Sequence, residues 1–365
     1  MPVRLSAMDN DGIDHIDEDD SAPGWEAIDG ALARLYSGVE PRHLATMLPW
    51  ALGGKDPLDG ISAYPRTEPV PHWHMVGYGL TELYSKESED PEASGWGFEL
   101  TFRPVRDPDD DMPPMWAAAL MQNLARYVFT SGNRFEPGHR MNANGPIATD
   151  RQDSVIRALG FAEDPELGGT DTPHGRMSFL QVVGLAEDEY EAAGQWSTMG
   201  VLDLLEPTTP LFVTDVDRSS RMADPAFAAA VRAGIERDGS TTGALYVGHL
   251  SWEIDDAGAL VRVGALQAPG VAQTLRGRLP FGHGLLLEAE GSSVGFVPGE
   301  EFAVRDEGGG ALTVVVPPAA LDELTAALRP ERGSASFSGM PGLRLEVVPT
   351  VMLDEHGKET GEVVG

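Results

Sequence analysis

Trp96-Gly97-Phe98-Glu99-Leu100-Thr101-Phe102 alternates large apolar residues with small or polar ones, one position at a time. Side chains on a strand point to opposite faces with a period of two, so this stretch predicts a half-buried β-strand. Upstream, residues 72–80 read as a companion strand, with Trp73 and Met75 on one face and Val76 and Tyr78 on the other. A charged loop over 86–91 separates the two. Downstream, an acidic turn at 107–111 and the pair Pro113-Pro114 precede Trp116, Leu120, Leu124, Tyr127 and Val128. These five share one face at helical spacing, prolines suit the start of a helix, and Gly132 supplies its stop. Strand, strand, helix implies a sheet with a helix packed on it.

Outward from this centre the same signals continue. Ile28, Leu32 and Leu35 predict a helix; the Gly- and Pro-rich stretch 53–71 reads as loop. A short helix is expected over 153–159, a strand over 179–183, helix over most of 190–205 and a strand over 211–216. Asp224 and Pro225 suit the N-cap and first position of a helix carrying Phe227, Val231 and Ile235, closed by Gly239. Beyond residue 240 strand-like runs dominate (244–250, 284–289, 294–297, 312–316, 343–348), with one helix over 319–328 and a turn-rich stretch over 255–270. The expected organisation is a disordered acidic tail at 1–20, a first domain at 21–240, a β-rich second domain at 241–353 and a flexible tail at 354–365. The fold class is α+β: two domains, each a mixed sheet with packed helices, facing each other across a cleft.

The chain has 365 residues and no cysteine, which excludes a disulfide framework, a thiolate metal site and a cysteine nucleophile. Residues 1–20 contain no apolar core of a signal peptide, and no apolar run reaches the roughly 18 residues that span a bilayer, so a cytoplasmic location is expected. Acids outnumber bases 58 to 26, a net charge of −32. Such a surface repels phosphate backbones and anionic lipid, which argues against nucleic-acid and membrane partners; a basic protein would be steered in. Solubility alone is the plainer reading of the same charge.

Catalytic motifs are weak. Gly291-Ser292-Ser293-Val294-Gly295 matches the form of a nucleophile elbow, but Pro298 and Gly299 prevent the helix that must follow, so a hairpin turn is expected. His72 and His74 project from one strand face without a third ligand nearby, and Asp215 and Asp217 read as a turn. No phosphate loop or dinucleotide fingerprint is present. No metal, no cofactor and no enzymatic activity are expected.

The runs His72-Trp73-His74-Met75-Val76-Gly77-Tyr78-Gly79-Leu80-Thr81-Glu82-Leu83-Tyr84 and Gly95-Trp96-Gly97-Phe98-Glu99-Leu100-Thr101-Phe102-Arg103 resemble the suppressor of fused family. So do residues 120–129, Phe179-Leu180-Gln181-Val182-Val183-Gly184, Gln195-Trp196 and Ile235-Glu236-Arg237-Asp238-Gly239-Ser240, and more weakly 275–279 and 343–349. The resemblance covers roughly 25–350 and lacks the long insertion of animal members, which suits a bacterial one. It implies a protein that clamps a short extended peptide, in animals from a Gli-type transcription factor, between two domains. By that resemblance Tyr127 matches a peptide-contacting tyrosine, and the loop Asn133-Arg134-Phe135-Glu136-Pro137-Gly138-His139 lies beside it. His139 stands where animal members place an acid, which argues against the same peptide. Core packing for Tyr127 and a roleless loop for His139 remain the alternatives. Partner binding is thus expected at Tyr127, Phe135, Gly138 and His139. The partner is a protein: the basic toxin domain that an immunity protein neutralises, or the peptide that a regulator or scaffold holds.

Overall fold

The computed structural model describes residues 21–48, 50–353 and 359–365. Residues 1–20, expected as a disordered tail, lie outside the described residues. The first sheet has eight strands. They are β1 (Arg42–Ala45), β2 (Gly60–Arg66), β3 (His72–Tyr78), β4 (Ala93–Phe102), β5 (Arg140–Asn142), β6 (Ile156–Glu163), β7 (Gly169–Thr172) and β8 (Gly175–Ala186). Their order is β1-β2-β3-β4-β8-β6-β5, with β7 paired to β8. Only β4 and β8 run parallel, so the sheet is mixed.

Both faces of this sheet are covered. Helix α2 (Met115–Ser131) buries Ala117, Met121, Leu124 and Val128 against Met75, Leu100, Phe102 and Val182 on one face. On the other, α1 (Pro23–Ala33) lays Ile28 and Leu32 over Val76, Tyr78 and Phe179. The far end of that face carries α3 (Glu187–Gln195), α4 (Thr198–Leu205) and α5 (Pro225–Asp238), packed on Ala158, Val183 and Leu185. Strand β4 and helix α2 form where expected, but β4 is not half-buried: Glu99 and Thr101 are as buried as Phe98, Leu100 and Phe102, because both faces of the sheet are covered. Gly132 ends α2 with φ 75°.

The second domain holds two mixed sheets, where one was expected. The four-stranded sheet is built from β10 (Leu250–Asp255), β11 (Gly258–Gly264), β16 (Gly333–Phe337) and β17 (Met340–Val348), ordered β10-β11-β17-β16. The five-stranded sheet adds β9 (Ala244–Tyr246), β12 (Leu285–Ala289), β13 (Ser292–Pro298), β14 (Ala303–Gly308) and β15 (Ala311–Val316), ordered β14-β15-β13-β12-β9. Together with α6 (Ala268–Arg278) and α7 (Leu321–Ala327) they enclose one core around Val261, Leu275, Phe296, Leu324 and Leu345. A hairpin of β18 (Thr350–Leu353) and β19 (Glu359–Val364) follows, so part of the stretch expected as a flexible tail is strand.

Four local expectations are corrected. Residues 153–159 do not form a helix: they lead into β6, whose core positions 158–162 are buried on both faces. Residues 211–216 do not form a strand: a 3₁₀ turn at Pro210–Phe212 leaves Thr214 as an isolated bridge to Pro104. The loop read over 53–71 contains β2; Pro65 lies past the end of β1, so its missing N–H is not needed there. The turn-rich stretch 255–270 contains β11, a central strand of the second domain. Among the described residues no helix is long and apolar enough to cross a membrane.

Candidate partner-binding site

The eight-stranded sheet and the five-stranded sheet each end on a three-residue edge strand, β5 in the first domain and β9 in the second. β5 pairs with β6 on one side only, through Phe161 N–H to His139 carbonyl (3.0 Å) and Ala143 N–H to Arg157 carbonyl (2.9 Å). In an antiparallel ladder alternate residues bond inward, so Arg140 and Asn142 turn their N–H and C=O groups away from β6. By the same alternation Ala244 and Tyr246 turn theirs away from β12, because Leu286 N–H bonds Gly243 and Val247 N–H bonds Glu288. Tyr246 is 75% exposed.

One side-chain contact ties β5 to the chain just ahead of β9. Arg140 Nη1 donates to Thr242 Oγ1 at 3.0 Å, two residues before β9, and its guanidinium lies 5.4 Å over the Tyr190 ring. The segment Ile235-Glu236-Arg237-Asp238-Gly239-Ser240, singled out in the sequence, is the end of α5 and the turn that leads toward β9. Trp196 Nε1 donates to Asp238 Oδ2 at 2.9 Å, and a Cβ on Gly234 or Gly200 would collide with the indole. Ser240 bonds both ways, its Oγ to Gly194 carbonyl (2.7 Å) and its N–H to Gly277 carbonyl (2.7 Å). Arg278 Nη1 donates to Ser240 carbonyl at 2.6 Å. Gly239 sits at φ 66°, where a side chain would strike Gly277 and Phe281.

The residues expected to contact a partner adjoin β5. Tyr127, at 38% exposure on the last turns of α2, stacks on Phe135 with centroids 5.4 Å apart; Phe135 stacks in turn on Phe161 of β6 at 4.2 Å. Phe135 is buried, so it supports Tyr127 from below. Asn133 Nδ2 donates to Tyr127 Oη at 3.2 Å. Gly138, at φ 89°, donates its N–H to Phe161 carbonyl at 2.8 Å. His139 is exposed; its Nδ1 accepts from Glu136 N–H at 3.2 Å, which leaves Nε2 facing out.

The histidines of β3 have a different use. His72 and His74 are both fully buried. His74 Nε2 donates to Asp164 Oδ2 (3.1 Å) while Nδ1 accepts from Tyr36 Oη (2.5 Å). Asp164 also accepts from Thr101 Oγ1 (2.8 Å), Arg103 Nη1 (2.7 Å) and Arg103 Nη2 (3.1 Å), and Arg103 reaches Gln181 and Glu166 as well. Burial and the Arg103 charge push His74 down to about 4 despite the pull of Asp164. Burial works against the Asp164 charge, but the bonds from His74 and Arg103 overcome it and hold the carboxyl well below its usual range. This network joins β3, β4 and β8 to the 164–167 turn. It was not legible in sequence, beyond the oddity of Arg103 closing an apolar strand. No cluster of metal-ligating side chains occurs among the described residues. Ser293 lies in β13, paired with Glu288, without the strand-to-helix elbow a serine nucleophile needs. Asp215 Oδ1 accepts Asp217 N–H at 2.9 Å, an ordinary turn.

Two domains of mixed sheets with packed helices, each with a short open sheet edge, define an α+β class. Residues 54–219 match the family model described as Suppressor of fused protein (SUFU). The human and mouse suppressor of fused homologs are each 38% identical over 236 residues, covering 60% of this chain and 48% of the relative. Through this first domain the chain belongs to the suppressor of fused family. The chain spans about half the length of the curated relatives it matches. Drosophila Suppressor of Fused shares the two-domain fold, with a TM-score of 0.76 at 23% identity over 90% of this chain and 97% of that one. A Sufu-Fu complex structure matches at a TM-score of 0.55 and 32% identity, covering 58% of this chain and 98% of that one.

Proposed function

We propose that this chain works by binding, and that an extended partner segment adds as a strand to the open edges of β5 and β9 at the domain junction, with Tyr127 and His139 beside it. The observation that carries the reading is the pair of outward-facing edge residues, Arg140 and Asn142 on one sheet and Ala244 and Tyr246 on the other, with Arg140 tied to Thr242 just ahead of β9. Strand addition gains affinity from main-chain hydrogen bonds and specificity from neighbouring side chains. The domains on either side are taken as 21–240 and 241–353. The relative captured in a Sufu-Fu complex supports a protein partner. Catalysis has no place in the proposal.

The net charge of −32 favours a basic partner and supports a second reading, an immunity protein that neutralises a basic toxin domain in the cytoplasm of a bacterium. Parallel affinity capture with wild-type and Asn142→Pro baits tests the first reading. Proline removes an outward N–H that β6 does not use, so the fold persists while strand addition fails. A partner retained by the wild type and lost by the variant supports the proposal; equal retention overturns it. Growth rescue on co-expression with the captured partner separates the immunity role from a regulatory one.

A further inference from the structure

A cavity of about 550 Å³ opens on the first domain, away from the junction residues, between the turn after β3, the bulged start of β4 and the end of α2. Its walls are aromatic. Phe129 is flanked by Trp50 (centroids 5.4 Å, tilted 59°) and Trp96 (5.8 Å, 63°), and Tyr84 closes another side. Edge-on packing of this kind leaves ring faces, the electron-rich side of an aromatic, open to a ligand.

The shape follows from the backbone. Gly79 and Gly95 have φ 139° and 53°, and a Cβ on either would strike the chain opposite, at Pro57 and Leu80. Trp96 N–H donates to Leu80 carbonyl at 2.9 Å, which fixes the bulge that presents the indole.

The charges in the cavity are of one sign. Asp59, Glu82 and Glu87 line it, with no lysine, arginine or histidine. Glu82 is matched by Lys86 at 2.9 Å, and its oxygens accept three further backbone N–H groups, from Glu87, Ser88 and Gly95. Among the described residues Asp59 Oδ2 accepts Tyr84 Oη at 3.0 Å, and neither Asp59 nor Glu87 has an ion-pair partner. Two uncompensated carboxylates beside exposed ring faces attract an organic cation twice, through charge and through the ring quadrupoles. A neutral apolar ligand would leave the carboxylates desolvated, and an anion would be repelled.

We infer that this cavity is a binding site for an organic cation, a guanidinium or alkylammonium head whose weakly hydrated carbon skirt sits on Trp50, Trp96 and Phe129 while its N–H groups reach Asp59 and Glu87. Arginine is the stronger candidate side chain, because its planar fork both stacks on aromatics and bonds carboxylates. The site is independent of strand addition at β5 and β9.

Isothermal titration of the full chain at about 150 mM salt tests it, since salt at this level screens diffuse attraction to the acidic surface. The probes are acetyl-Gly-Arg-Gly-amide and its citrulline counterpart, which keeps the shape and loses the charge. The arginine peptide is expected to bind at least tenfold tighter than the citrulline peptide. Asp59→Asn and Trp50→Ala, both at partly exposed positions, are each expected to weaken it fivefold or more with thermal unfolding unchanged. Butylguanidinium distinguishes the sources: affinity within threefold of the peptide means a free cation suffices, and a weaker one means the site reads a peptide side chain, and both support a cation site. Equal binding of the citrulline peptide, no binding of the arginine peptide, or binding indifferent to both substitutions would overturn the inference.

Discussion

Arg140 and Thr242 meet across the domain junction, guanidinium to hydroxyl at 3.0 Å, one at the first residue of β5 and the other just ahead of β9. The contact ties the first residue of β5 to the chain two residues ahead of β9. Arg140 is otherwise held by the Tyr190 ring, and its Nε has no partner among the described residues. Arg140→Ala removes a charged hydrogen bond and a cation–π contact, together worth about 2 kcal/mol. Urea unfolding should shift by that amount. Partner affinity should fall too, because β5 loses its tie to the chain ahead of β9.

Tyr127→Ala is expected to weaken partner binding roughly thirtyfold, the loss typical of a central aromatic anchor. Its ring is 38% exposed and stacks on Phe135, so stability should fall by only about 1 kcal/mol. His139→Ala should leave stability within about 0.5 kcal/mol, as befits an exposed loop side chain. Titration of a captured partner alongside thermal melts measures both.

The Asp164 network should be brittle. Asp164→Ala leaves Arg103, itself fully buried, without its main counter-charge, which costs roughly 3–5 kcal/mol. Replacing Arg103 by Met should be comparably harmful, because Asp164 then stays buried with its charge. A double substitution of both should recover part of the loss, and a double-mutant cycle in urea measures the coupling.

Acid should act on His74 with a definite sign. Its folded pKa is down to about 4, below the ordinary 6.5, so the unfolded chain binds the proton first. Stability therefore falls as pH drops from about 6.5 toward 4, by up to about 3 kcal/mol. Glu99 works in the opposite sense. Burial raises it to about 7 against hydrogen bonds from Gly79 and Thr81, so its contribution is present below pH 4.5 and lost as pH rises through 7. Glu99→Gln keeps an oxygen for those donors. It should raise stability at pH 8 and make the acid-side loss from His74 steeper; urea midpoints at pH 5, 6.5 and 8 read both.

How much of this was legible in sequence depends on exposure. α2 has one buried and one open face, so its period of 3.6 shows in the residues; β4 is buried on both faces over 98–102, and its period of two shows only because Glu99 and Thr101 on the second face are polar and hydrogen-bonded. β6 and β11 are buried on both faces, which erases alternation; Val155, Ile156 and Leu159 then mimic a helical spacing, and 258–264 hides behind the turn at 255–257. Asp164 and His74 are 90 positions apart, and nothing local marks them as a pair. Tyr127 and the 133–139 loop were found through family resemblance, whereas the edge residues Asn142 and Ala244 required the sheet order, which no local pattern encodes.

Hydrogen–deuterium exchange of the chain with and without its captured partner tests the strand-addition account most directly. The amides of Arg140, Asn142, Ala244 and Tyr246 point out of their sheets and should exchange rapidly in the unbound chain. Binding should slow exchange at these edge amides in both β5 and β9 by at least tenfold, with little change at β1 and β14, the opposite edges of the same two sheets. Protection confined to other surfaces, with the β5 and β9 amides exchanging as fast as before, would contradict the account.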